Sequence, residues 1–198
     1  ITPDVPQFKF DGNLNGDVFI NQENDIYQPT ASLAINDLFV NDNKLGNLKL
    51  EIEGDELFRN FTINSEIENE NFKSFQANGM LNIINDKTNL DLELNFQKFN
   101  LAVLSNLGGD VFTNIRGYIS GATRLSGTVD DIDYNGRLFT EGAGLTIPYL
   151  NVDYELKTNS IIDIAKNKFI IQRSKLIDTK YNTEGFVSGV IDHKDFGD

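Results

Sequence analysis

The chain has 198 residues, with 30 acidic against 17 basic side chains, a formal net charge of −13 and no cysteine. Basic residues scattered singly through so acidic a chain argue against a phosphate-gripping nucleic-acid surface and against electrostatic docking on an anionic membrane, and the missing thiols exclude disulfides and thiolate metal sites without choosing a compartment. No run of about 18 apolar residues is present to cross a bilayer as a helix, and Ile1-Thr2-Pro3-Asp4 carries no initiator Met and no signal-peptide pattern, so the expectation is a segment cut from a longer polypeptide.

After an extended lead at Pro3-Asp4-Val5-Pro6, two short runs, Phe8 to Leu14 and Asp17 to Asn21, are punctuated by Gly12 and Gly16. Thr30 to Val40 sets Ala31, Leu33 and Ile35 on one face and slips parity at Asn36-Asp37, where a β-bulge is the simplest account. Leu45 to Glu53 alternates, with Leu48, Leu50 and Ile52 pointing one way and Asn47, Lys49, Glu51 and Glu53 the other. A Gly54-Asp55 turn leads into Leu57 to Glu68, where Leu57, Phe61, Ile63 and Ile67 share a parity. Phe75, Ala77, Gly79, Leu81 and Ile83 make the next apolar row, Asn85-Asp86 turns the chain, and Leu90, Leu92, Leu94 and Phe96 make another. One segment reads as helix. Asn100 caps it, Leu101, Leu104 and Leu107 recur at helical spacing, and Gly108-Gly109 ends it.

Strand rhythm resumes with Ile119 to Val129, and the turn formers from Asp130 to Gly136 read as a reversal. Gly142 and Gly144 mark a bend or bulge in the run Gly136 to Ile147. After Pro148, Leu150, Val152, Tyr154 and Leu156 face away from Asn151, Asp153, Glu155 and Lys157. Shorter apolar pairs follow at Ile162 and Ile164, Phe169 and Ile171, and Phe186 and Val190. The reading is an all-β chain of consecutive antiparallel strands, each with one dry and one wet face. It forms a single β-rich segment over 1–198, with a possible sub-boundary near 98–110. Each dry row needs a cover, and one two-turn helix is too small. Pattern alone therefore favours a sandwich or a closed barrel.

A resemblance reverses that order. LSGT, a turn, NGRL and GLTIPYLNVDYEL within Gly117 to Leu156, followed by DTKYNTEGFVSGVIDHKDF at Asp178 to Phe196, resemble the TamB family of AsmA-like envelope proteins of diderm bacteria. The likeness covers roughly Leu101 to Asp198; the first hundred residues share only the strand-turn rhythm. What it implies is a long antiparallel curled sheet, a β-taco or open trough, with one short helix near 100–107. It also implies a periplasmic place for the segment, in a parent chain anchored in the inner membrane. The expected function is to carry phospholipid between the inner and outer membranes, to support outer-membrane protein assembly, or both. The implied partners are phospholipid acyl chains, neighbouring segments of the same chain and an outer-membrane barrel of the TamA or BamA type. On this reading acyl chains lie along Leu48, Leu50, Ile52, Phe61, Ile63, Leu92, Leu94, Phe96, Leu150 and Val152. No enzymatic activity, metal or cofactor is expected. The alternative is a β-sandwich interaction or adhesin module that joins partners by strand addition and binds no lipid.

Other constellations carry less. Asp131-x-Asp133-x-Asn135-Gly136 opens like an EF-hand loop, yet position twelve is Gly142 and the flanks are strands. His193 is the single histidine and no G-x-S-x-G elbow accompanies it. Glu51, Glu53, Glu66 and Glu68 fall on the wet parity, and without Trp the usual sugar-stacking platform is missing.

Overall fold

The computed structural model describes residues 8–192, so His193 and Phe196 lie outside the described residues. Among the described residues twelve strands and two short 3₁₀ helices follow one another: β1 (Phe10–Glu23), β2 (Ile26–Val40), β3 (Asn43–Gly54), β4 (Asn60–Asn69), β5 (Phe72–Ile84), β6 (Lys87–Asn100), η1 (Leu101–Gly108), β7 (Thr113–Thr128), β8 (Asp131–Ile147), η2 (Pro148–Leu150), β9 (Val152–Leu156), β10 (Ile161–Ala165), β11 (Lys168–Asp178) and β12 (Thr183–Asp192). All strands belong to one antiparallel sheet in which each pairs mainly with its neighbour in sequence. Among the described residues no second sheet forms, so the sandwich that alternation alone favours is not built. Among the described residues β1 and β12 each have a single partner, so the curled sheet does not close into a barrel there.

Two-residue turns of type I′ character explain the long, in-register hairpins. Asn24-Asp25, Asn41-Asp42 and Asn85-Asp86 each hold both residues at positive φ, a conformation that Asn and Asp tolerate and that matches the twist of paired strands. β9 and β10 run end to end in one lane between β8 and β11, interrupted by the turn Lys157 to Ser160. The expected bulge at Asn36-Asp37 is present, with Asp37 at φ 51° and the β2–β3 register shifting between Ile35 and Leu38.

Several elements differ from their sequence reading. The runs Phe8–Leu14 and Asp17–Asn21 are parts of one strand, β1, whose register shifts between Asp11 and Asn13. The reversal read at Asp130 to Gly136 shrinks to Val129-Asp130; Asp131 to Gly136 pairs with Thr128 to Thr123 as the start of β8. Leu57 is not in a strand but in the loop before β4, and Leu150 lies in η2 rather than in β9. The helix is a 3₁₀ turn: leucines spaced by three suit three residues per turn. Its Asn100 cap is as expected, the side chain accepting from the Ala102 amide at 2.9 Å.

A single layer is costly in exposed surface. The accessible area is 12,762 Å², against about 9,400 Å² for a compact globule of this mass. Burial is correspondingly concentrated. Leu38, Val40, Leu45, Ile67 and Val103 form a buried cluster at one end, backed by Phe8, Ile35, Leu48, Phe75, Phe99 and Leu104.

Candidate functional site

Because paired residues share a face of the sheet, the register assigns one apolar surface. One row across the strands runs Ala31, Ile52, Ile63, Gly79, Leu92, Leu125 and Tyr134. The next runs Leu33, Leu50, Ser65, Ala77, Leu94, Thr123, Gly136, Ile164, Phe169 and Ile191. A third runs Ile35, Leu48, Ile67, Phe75, Phe96, Gly121, Leu138, Ile162 and Ile171. Most of these side chains are half-buried. They are shielded by sheet neighbours and curl, with no second sheet laid over them.

One end of this face is capped. η1 leaves β6, crosses β3 to β5 and docks on the β2–β3 turn. There Asn41 Nδ2 donates to the Val103 carbonyl at 2.6 Å and Asn43 Nδ2 to the Ala102 carbonyl at 3.2 Å. Asn106 Nδ2 in turn donates to Asn41 Oδ1 at 2.9 Å. Val103 thereby becomes one of the most buried side chains. Beneath the cap Phe75, Phe96 and Phe99 meet at centroid distances of 5.4 to 6.2 Å in tilted and edge-on contacts.

The opposite face is polar and knitted by ion pairs. Arg124 grips Asp91 through two bonds of 2.7 Å, Arg137 grips Asp163, and Glu66 sits between Lys49 and Lys73. The carboxyls of Asp91 and Asp163 are held below the usual range, each chiefly by its arginine's hydrogen bond. A shallow recess of about 450 Å³ lined by Asn78, Asp91, Glu93, Arg124 and Asn135 opens on this side. Near η2, Asp153 accepts from Thr179, from Arg116 through two bonds of 2.9 Å and from Thr146. These bonds lower its pKa to about 2, the Thr179 hydroxyl contributing most and Arg116 next. The pair joins β7 to β9 and Thr179 ties on the end of β11, so its role is to fasten the broken lane.

No family model, curated protein or solved structure matches this chain. Leu48, Leu50 and Ile52 on β3, Phe61 and Ile63 on β4, and Leu92, Leu94 and Phe96 on β6 all lie on the apolar face, separated only by β5. Leu48 belongs to the capped end, packed against the buried cluster. Leu150 stands apart, exposed at the tip of η2, and Val152 opens β9 opposite Ile147, away from the β3–β6 patch. The sequence reading leaves out residues that extend the face to the other edge: Leu125, Leu138, Ile162, Ile164 and Phe169. Their alternating parity is visible in the sequence.

Asp131, Asp133 and Asn135 lie on a strand, where alternate residues stand ~6.7 Å apart along one face. That spacing does not wrap an ion. Among the described residues no group of three or more His, Asp or Glu side chains gathers as metal ligands, and no helix is long and apolar enough to cross a membrane. Glu51, Glu53, Glu66 and Glu68 all fall on the polar face.

Proposed function

We propose that this chain is a non-enzymatic lipid-carrying segment whose curled sheet shelters phospholipid acyl chains along its apolar face while head groups stay at the open seam. The supporting observation is a dry surface continuous from β2 to β11 in a one-layer sheet whose middle has no second layer to seal it. Burying apolar surface is worth roughly 25 cal/mol per Å², so two acyl chains laid on such a face gain enough to stay without any covalent chemistry. The resemblance to the TamB family supports a place in a periplasmic bridge between inner and outer membranes. The edges of β1 and β12, unpaired among the described residues, suit continuation into neighbouring segments or pairing with a barrel of the TamA or BamA type.

The experiment is site-specific photocrosslinking with benzoylphenylalanine at Leu50 or Leu92, compared with Glu51 or Glu93 on the polar face, in protein purified from cells fed labelled lipid. Label joined to positions 50 and 92 and absent at 51 and 93 is the expected result. Equal labelling of both faces, or no extractable lipid in native mass spectrometry, refutes the reading.

A further inference from the structure

The end of the trough opposite η1 is built differently. There the loop between β3 and β4 exposes Leu57 (65%) and Phe58 (41%), and the β5–β6 hairpin exposes Ile83 (36%) and Ile84 (57%). These side chains are held out by a rigid frame. Asp55 Oδ1 accepts from the Arg59 amide at 2.8 Å and the Asn60 amide at 3.2 Å, its Oδ2 accepts from Asn60 Nδ2, and the Phe58 amide donates to the Asp55 carbonyl at 3.1 Å. Phe58 sits at φ 54°, a costly conformation for a bulky residue. The Ile83 amide donates to the Arg59 carbonyl at 2.7 Å, locking the two tips into one knuckle.

We infer that this knuckle is a membrane-docking tip that inserts Leu57, Phe58, Ile83 and Ile84 among the head groups of an electrically neutral, zwitterionic bilayer at the mouth of the trough. Size favours lipid over protein: the four side chains expose on the order of 350 Å², less than half of the ~800 Å² per partner that a stable protein interface buries. Shape agrees, because hairpin tips project outward and form no groove. Charge names the surface. Arg59 and Lys87 flank the apolar tips against Asp55, Glu56 and Asp86, leaving the knuckle with a net charge of −1 that gives an anionic bilayer no attraction, and their stems are long enough to snorkel to the phosphates of a zwitterionic one. The chain's net charge of −13 opposes an anionic surface. The inference deepens the trough reading by naming where the trough meets its lipid source.

The absence of cysteine makes the test clean. Leu57→Cys and Ile84→Cys are labelled with nitrobenzoxadiazole and mixed with phosphatidylcholine vesicles; Asn71→Cys, on the β4–β5 turn at the η1 end, is the control. Blue-shifted, several-fold brighter emission at positions 57 and 84 but not at 71 is expected. The unlabelled double variant Leu57→Ser/Ile84→Ser keeps its thermal unfolding midpoint and loses at least ~10-fold in vesicle partitioning. An unchanged spectrum at 57 and 84, binding that needs phosphatidylglycerol and vanishes in salt, or tip-dependent self-association without vesicle binding each overturns the inference. Lipid extracted from the same preparations separates the two readings. Bound lipid without insertion refutes the tip alone, and insertion by a lipid-free protein refutes the trough alone.

Discussion

Asn41→Gly tests whether η1 is a docked cap or a mere connection. Asn41 sits at φ 50°, which glycine adopts freely, so the substitution leaves the β2–β3 turn unstrained and removes only the side chain. Three bonds go with it: the donation to the Val103 carbonyl at 2.6 Å, and acceptance from the Lys9 amide and from Asn106 Nδ2, both at 2.9 Å. The site is buried, and with partners left unpaired the loss is about 2–3 kcal/mol. An eight-residue 3₁₀ helix has no stability of its own, so the loss falls on docking. Amide hydrogen exchange in residues 104–108 is expected to accelerate ~30- to 150-fold, while amides in the middle of β4 to β6 keep their protection. Unchanged exchange in η1, or a uniform rise across all strands, refutes the view that the cap opens as a local unit.

Val103→Ala removes the apolar plug of the same cap and is expected to lower stability by ~1.5–2.5 kcal/mol in urea unfolding. Gly46→Ala forces φ 120° on a residue with a Cβ that collides with the Glu68 carbonyl; a loss of ~3 kcal/mol or unfolding is expected, measured by the same titration. Asp153, with its pKa lowered to about 2, stabilises the fold above the unfolded-state carboxyl value. That contribution, up to about 2 kcal/mol, disappears as pH falls from about 4 to 2. Asp153→Asn should flatten this part of the stability–pH curve, and an unchanged curve refutes the assignment.

Much of the fold is legible in side-chain parity. Leu48, Leu50 and Ile52 against Lys49, Glu51 and Glu53 fix both the strand and its register, because a one-residue slip would put three charges on the dry face. Parity fails where side chains bond the backbone. Leu57 matches the phase of Phe61, yet Asp55 caps the Arg59 and Asn60 amides and pulls the chain into a loop. Composition misleads in the opposite sense at Asp131 to Gly136. Its turn-forming residues suggest a reversal, while Ile132, Tyr134, Gly136 and Leu138 keep the strand's alternation and β7 supplies the ladder. The Asn-Asp dipeptide that turns the chain at 85–86 does so again at 24–25 and 41–42, whereas at 36–37 it makes a bulge inside β2, so the dipeptide alone does not separate a turn from a bulge. The candidate face was readable as separate rows. Its continuity was not, since only pairing shows that β5 places Gly79 between Ile63 and Leu92 and Ala77 between Ser65 and Leu94. Nor does local sequence reveal that η1 reaches back some sixty positions to Asn41.

Sequential pairing from β1 through β8 has a modular consequence. A strand exchanges its main-chain bonds only with the two beside it, so the sheet behaves like a zipper in which damage decays over nearest neighbours and folding can spread from any hairpin. Adding or deleting one hairpin lengthens or shortens the ribbon by ~9.6 Å without disturbing distant pairs. Span thus becomes adjustable in fixed increments, a property suited to an element that must match a gap.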